Sequence, residues 1–194
     1  MASALIKFVV SFSSQDEVHK VQNLINGDGC QKWLSNSKEK TGQIEAIFQL
    51  EDFLKVAFID VGTIWCSTIE IQVGRSDWPQ DKQYLTLCPT ASLMSPIDCR
   101  LKQNINKTRM FSKEEFIDTV VREKWDRIKL ILRQPYRKDV QFGVSFIKIK
   151  SAAAVYIEKP KSGLSPLDDN GRVKMIKSHF FGSKKDRYSF HTLL

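Results

Sequence analysis

Residues 126–134 read Asp-Arg-Ile-Lys-Leu-Ile-Leu-Arg-Gln. Ile128, Leu130 and Leu132 recur with a period of two, while Arg127, Lys129 and Arg133 fall on the alternate positions. Successive side chains of a β-strand point to opposite faces, so the run predicts a strand with one buried and one cationic face. Thr68-Ile-Glu-Ile-Gln-Val-Gly74 alternates in the same way, with Ile69, Ile71 and Val73 inward. Working outward, strands are expected at 8–12, 43–50, 54–61, 84–88, 107–111 and 142–150. Runs 8–12, 43–50 and 54–61 are rich in β-branched or aromatic residues, and Asp28-Gly29, Gly62, Gly74, Pro89, Pro96 and Pro135 punctuate the series.

Two helices are expected among them. Ser112-Lys-Glu-Glu115 has the spacing of a capping box, followed by Phe116, Ile117, Val120 and Val121 on one apolar face. Ser14-Gln-Asp-Glu17 offers a second, with Val18, Val21, Leu24 and Ile25 as its buried stripe and Gly27 as its stop. Many short strands and few helices make the fold class all-β, an antiparallel sandwich or jelly roll.

The domain is expected to span residues 1–151. Residues 152–194 turn rich in Pro, Gly, Ser and charge, and are expected to form a basic, partly disordered tail. The start, MASALIKFVVSF, lacks the features of a secretory signal, and no run reaches the ~18 apolar residues of a membrane span. Cys30, Cys66, Cys88 and Cys99 are widely spaced, with no close Cys or His partner, so four reduced thiols in an intracellular protein are expected, with no metal and no cofactor.

Charge is distributed unevenly. The whole chain of 194 residues carries +8. Residues 1–99 hold 8 basic and 12 acidic side chains, residues 100–150 hold 14 and 6, and residues 151–194 hold 8 and 4. The positive field therefore belongs to the second half of the domain and the tail, and a polyanion is the first partner to consider. Lys107 and Arg109, and again Lys148 and Lys150, repeat the period-two spacing of residues 127–133. A sheet that buries one face and presents such rows on the other is a phosphate cradle. Of the four tryptophans, Trp33 and Trp125 are expected in the core, and Trp65 and Trp78 nearer the surface. No nucleophile elbow, glycine-rich phosphate loop or His–Cys–carboxylate grouping is present, so no enzyme is expected. An adaptor that binds proteins and a lectin-like binder of a small ligand remain open alternatives.

Several segments then read together: FVVSFSSQD (8–16), LMSP (93–96), NKTRMF (106–111), KWDRIKL (124–130), QPYRKD (134–139) and FGVSFIK (142–148). In order and spacing, over about residues 1–151, they resemble the family of the N-terminal domain of X-ray repair cross-complementing protein 1, a scaffold of DNA single-strand-break repair. The resemblance implies a β-sandwich of the galactose-binding, discoidin-like type, nuclear residence, binding of nicked or gapped DNA, and docking to DNA polymerase beta. Arg100, Lys107, Arg109, Arg127 and Lys129 fall where the family motif is basic and are the expected DNA contacts. Arg133, Lys148 and Lys150 join them on strand parity. The polymerase-facing surface would include Thr68, Ile69 and Thr86, where the family carries apolar side chains at the positions of the two threonines. Phe12 and Lys20 stand where the family has a cysteine pair able to form a regulatory disulfide, so that bridge is not expected here.

Overall fold

In the computed structural model, which describes residues 3–25 and 32–151, the chain forms ten strands. These are β1 (Ser3–Ala4), β2 (Ile6–Phe12), β3 (Trp33–Leu34), β4 (Gln43–Leu54), β5 (Val56–Ile64), β6 (Thr68–Gly74), β7 (Leu85–Ser92), β8 (Asn106–Ser112), β9 (Trp125–Arg133) and β10 (Gly143–Ser151). One sheet runs β1-β10-β5-β8, with β3 also paired to β10; the other runs β2-β4-β9-β6-β7. Every pairing is antiparallel. The all-β sandwich follows from the alternation on β9 and β6. Ile128, Leu130, Leu132, Ile69, Ile71 and Val73 are fully buried, and Ile59, Val61, Val144 and Ile149 meet them from the other sheet. Trp33 and Trp125 lie in this core, their indole N–H groups donating to the carbonyls of Ser14 (2.9 Å) and Val120 (2.8 Å). That is how a large ring with one polar atom is buried at low cost.

Among the described residues both expected helices shrink. Asp16 Oδ1 accepts the backbone N–H groups of Val18 (3.1 Å) and His19 (3.0 Å), which closes a turn. Only a 3-10 turn remains at Val21–Leu24, and Val18 is 75% exposed. The expected stop at Gly27 lies outside the described residues. At the second site Ser112 ends β8 and its hydroxyl donates to Glu114, while Glu115 is drawn away by Arg109. The helix α2 is therefore only Asp118–Val121, without a side-chain cap, although Phe116 and Val120 are buried as their spacing suggests. A helix not expected, α1, spans Pro96–Leu101. Ser95 caps it, Asp98 completes the reciprocal pair, and Pro96 occupies the first turn.

Cys66, Cys88 and Cys99 are free and buried; Cys30 and the expected tail at 152–194 lie outside the described residues. Burial pushes the Cys66 thiol up to about 12; burial, reinforced by the Glu115 charge, pushes Cys88 up to about 11. Thiolate is the reactive form, so these groups are inert near neutrality. In a Cys30→Ser variant, a thiol reagent at pH 8 is expected to titrate almost nothing within minutes, and three thiols once guanidinium unfolds the chain. A fast-reacting thiol in the native protein would contradict this placement.

Candidate functional site

The eight expected DNA contacts do not share a face. Arg127, Lys129 and Arg133 point outward from β9 in the centre of the second sheet, where register sets them beside Gln49, Ile47 and Gln43 of β4 and Gly74, Gln72 and Thr68 of β6. Lys148 and Lys150 point outward from β10 in the other sheet, across from Asp60 and Phe58 of β5. Two sheets packed through a common core turn their outer faces in opposite directions. Lys107 and Arg109 have a third orientation. They pair with Thr63 and Val61, and so share the parity of buried Phe111, which pairs with Ile59. Because β8 is an edge strand, their side chains leave by the open side of the sandwich. The expected single cationic strand face is thus replaced by three separate groups, with Arg100 in a fourth place on α1.

Most of these cations are already occupied. Lys129 Nζ lies 3.0 Å from Glu45, Arg133 Nη1 3.3 Å from Glu70, and Lys150 Nζ 2.7 Å from Asp60. Arg133 also donates to Gln43 (2.9 Å), and Arg127 Nε to Gln49 (3.1 Å). The Glu70 carboxyl is held below its ordinary range by hydrogen bonds from Gln72 and Arg133, which outweigh its burial. On the outer face of β4, β9 and β6, three cations therefore meet two carboxylates, which leaves little field for phosphate. Arg109 acts as a staple across the open edge. Its guanidinium donates to the Ser92 carbonyl at the end of β7 (3.0 Å) and to Glu115 (2.6 Å), and lies 5.1 Å from the Phe111 ring centre.

The expected partner face divides differently. Thr68 and Thr86 occupy outward positions of β6 and β7, with Thr86 opposite Gln72. Ile69 faces inward and is fully buried, so it is a core residue and not a contact. Thr86 thus meets an uncharged neighbour, whereas Leu85, 41% exposed, pairs with buried Val73 and leaves by the edge of the sheet.

A group of cations free of ion-pair partners lies at one end of the sandwich. The chain turns there three times: after β5 (Trp65), after α1 (Lys102 to Ile105) and between β9 and β10 (Gln134 onward). Trp65 N donates to the Ile105 carbonyl (2.8 Å), and the buried Gln134 side chain donates to the Trp65 carbonyl, so the three loops are tied together. Trp65, Lys102 and Asn104, with φ of 55°, 56° and 53°, are the described non-glycine residues in the left-handed region. A bulky residue there is held by its surroundings against its own preference. A cleft of about 410 Å³ opens at this end, lined by Pro96, Cys99, Arg100, Tyr136 and Arg137. Arg137 lies 5.4 Å from the Trp65 ring centre and pairs with Asp139, whose carboxyl it holds down at about 2. Among the described residues, no carboxylate lies within ion-pair distance of Arg100, Lys102, Lys107 or Lys138. Arg100 and Lys107 were expected as contacts, whereas Lys102, Tyr136, Arg137 and Lys138 were missed. QPYRKD did carry Tyr136, Arg137 and Lys138 as a polar loop, but nothing local to it shows that α1 and Trp65 close over the same spot.

A chitosan-binding module from Paenibacillus sp. IK-5, 13% identical with a TM-score of 0.53 over 76% of this chain and 97% of that one, shares the sandwich fold. A crystal structure of reduced XRCC1 bound to the DNA polymerase beta catalytic domain is 35% identical over 77% of this chain and 99% of that one, with a TM-score of 0.72. The DNA repair protein XRCC1 of Homo sapiens is 36% identical over 153 residues, which cover 78% of this chain and 24% of that protein. This chain therefore spans about a quarter of the length of the curated relatives it matches. The family described as XRCC1 N terminal domain matches residues 1–149, and the chain belongs to that family.

Proposed function

We propose that the domain is a non-catalytic docking module of a DNA-break-repair assembly in the nucleus, with the outer face of β6 and β7 receiving a partner protein of the DNA polymerase beta kind. The observation that carries this reading is the likeness, over nearly the whole of the compared chain, to an XRCC1 domain bound to the DNA polymerase beta catalytic domain. The uncharged pair of Thr86 and Gln72 on that face supports it, since interface centres are depleted in charge. The two threonines provide little apolar anchorage, so the affinity is expected to be modest. Calorimetric titration of the 194-residue chain with that catalytic domain tests it. Binding is expected to persist after nuclease treatment and in Lys129→Glu, and to weaken tenfold or more, about 1.4 kcal/mol, in Thr86→Arg. No heat of binding at tens of micromolar, or binding unmoved by Thr86→Arg, would count against it.

A second reading, binding of nicked or gapped DNA, is favoured by the unpaired cations Arg100, Lys107 and the exposed Lys148. The remaining expected contacts, Arg109, Arg127, Lys129, Arg133 and Lys150, would have to exchange existing partners for phosphate. A kinked or flexible gap would let the duplex follow the protein at lower bending cost.

A further inference from the structure

We infer that the loop end of the sandwich is a single-stranded nucleic-acid site, in which the exposed Tyr136 ring stacks a base and Arg100, Lys102, Lys107 and Lys138 take the flanking phosphates. The inference deepens the DNA reading above and rests on it for the class of ligand, but moves the contact from the strands to the loops. Three independent features converge at this end. Tyr136 is 48% exposed and lines the cleft of about 410 Å³ together with Arg100 and Arg137. The cations around it are exposed and lack carboxylate partners among the described residues, in contrast to those of β9. The platform is also rigid. The Trp65 backbone is bonded to Ile105 and Gln134, and Tyr136 N donates to the Gln134 side chain (3.1 Å).

The chemistry selects the ligand. Aromatic stacking tolerates any base, and backbone phosphates release counterions when Lys and Arg neutralise them. A duplex keeps its bases stacked on one another and offers Tyr136 nothing, whereas a displaced or unpaired strand does. A phosphopeptide would satisfy the cations but would leave the aromatic ring without a planar partner. Asp98 and Asp139 are the carboxylates at this end. Asp139 is paired with Arg137, and Asp98 is held by Ser95 and by Asn104 (2.9 Å) while its charge also acts on Lys107, so the cations at this end outnumber the carboxylates.

The test is fluorescence anisotropy of the 194-residue chain with an eight-residue oligothymidylate and with an abasic strand of the same length, over a salt series. Wild-type protein is expected to bind the thymidylate with a log–log salt slope of about −3, as for about four phosphates. Tyr136→Ala is expected to weaken thymidylate binding about tenfold and to leave abasic binding nearly unchanged. Arg100→Glu with Lys107→Glu should weaken both, with the thermal midpoint preserved because all these side chains are exposed. If Arg127→Glu or Lys148→Glu weakens binding and the loop variants do not, the site is wrong and the DNA reading survives. Binding unaffected by any of these substitutions overturns the site as well. No binding by wild type at moderate salt overturns the site and the DNA reading together. Equal competition by a phosphoserine peptide of the same charge overturns base stacking.

Discussion

Gly143→Ala is expected to lower the thermal midpoint by about 6–12 °C. Gly143 opens β10 and pairs at once with Leu34 of β3 and Ile64 of β5. A Cβ there would stand 2.0 Å from the Trp33 carbonyl oxygen, 2.9 Å from its carbon and 3.0 Å from Leu34 Cα. These are main-chain atoms, so no rotamer change relieves the clash and β3 itself must move. Its movement would disturb Trp33, which is fully buried and anchored through its indole N–H to Ser14. Cys66 would be disturbed too, since its thiol lies 3.2 Å from the Gly143 carbonyl. Overpacking costs about 1–3 kcal/mol, and a clash with backbone belongs at the upper end, about 3 kcal/mol. For a domain of this size each kcal/mol moves the midpoint by roughly 2–4 °C. Thr108→Ala, at an exposed position of β8, should change it by less than about 2 °C. A Gly143→Ala protein melting within that same margin would show that β3 is not packed as tightly as described.

The sandwich is legible in the sequence because its cause is local. A strand buried on one face must alternate, and β6 and β9 do so over their full lengths. The arrangement of the cations is not legible, because parity gives a side chain's face relative to its own strand alone. Nothing within residues 127–133 shows that Glu45 and Glu70, far away in the chain, will stand beside Lys129 and Arg133. Nor does the spacing of Lys107 and Arg109 show that β8 is an edge, where inward parity leads out through the open side. The helix lengths are not legible for a similar reason. A Ser-x-x-Glu spacing caps a helix only while its carboxylate is free, and Arg109 claims Glu115. The resemblance implies Ile69 on the partner surface, although the alternation of β6 already points it inward.

Asp126→Ala is expected to cost about 3 kcal/mol and to loosen the loop between β6 and β7. The carboxylate is 2% exposed and sits where β4, β9 and that loop meet. Its Oδ1 accepts the Ser76 backbone N–H (2.9 Å), and its Oδ2 accepts the Ser76 hydroxyl (2.5 Å) and the Gln49 amide (2.9 Å). Gln49 is itself buried and accepts from Arg127 through its Oε1 (3.1 Å). Hydrogen bonds to a charged group contribute about 1.5–3 kcal/mol, and each buried donor left without a partner costs about 1–3 kcal/mol. Losses within one network are not additive, which holds the sum near 3. The loop gives a second readout. Trp78 lies edge-on to Trp125, with ring centres 5.8 Å apart, and is covered by Lys82 at 3.9 Å. Releasing Ser76 frees the segment that carries Trp78, so the folded variant should emit at longer wavelength well below its midpoint. A cavity without the network would destabilise the protein and leave that emission where it was. Destabilisation with no red shift would therefore reduce Asp126 to a packing residue, and a shift confined to the unfolding transition would do the same.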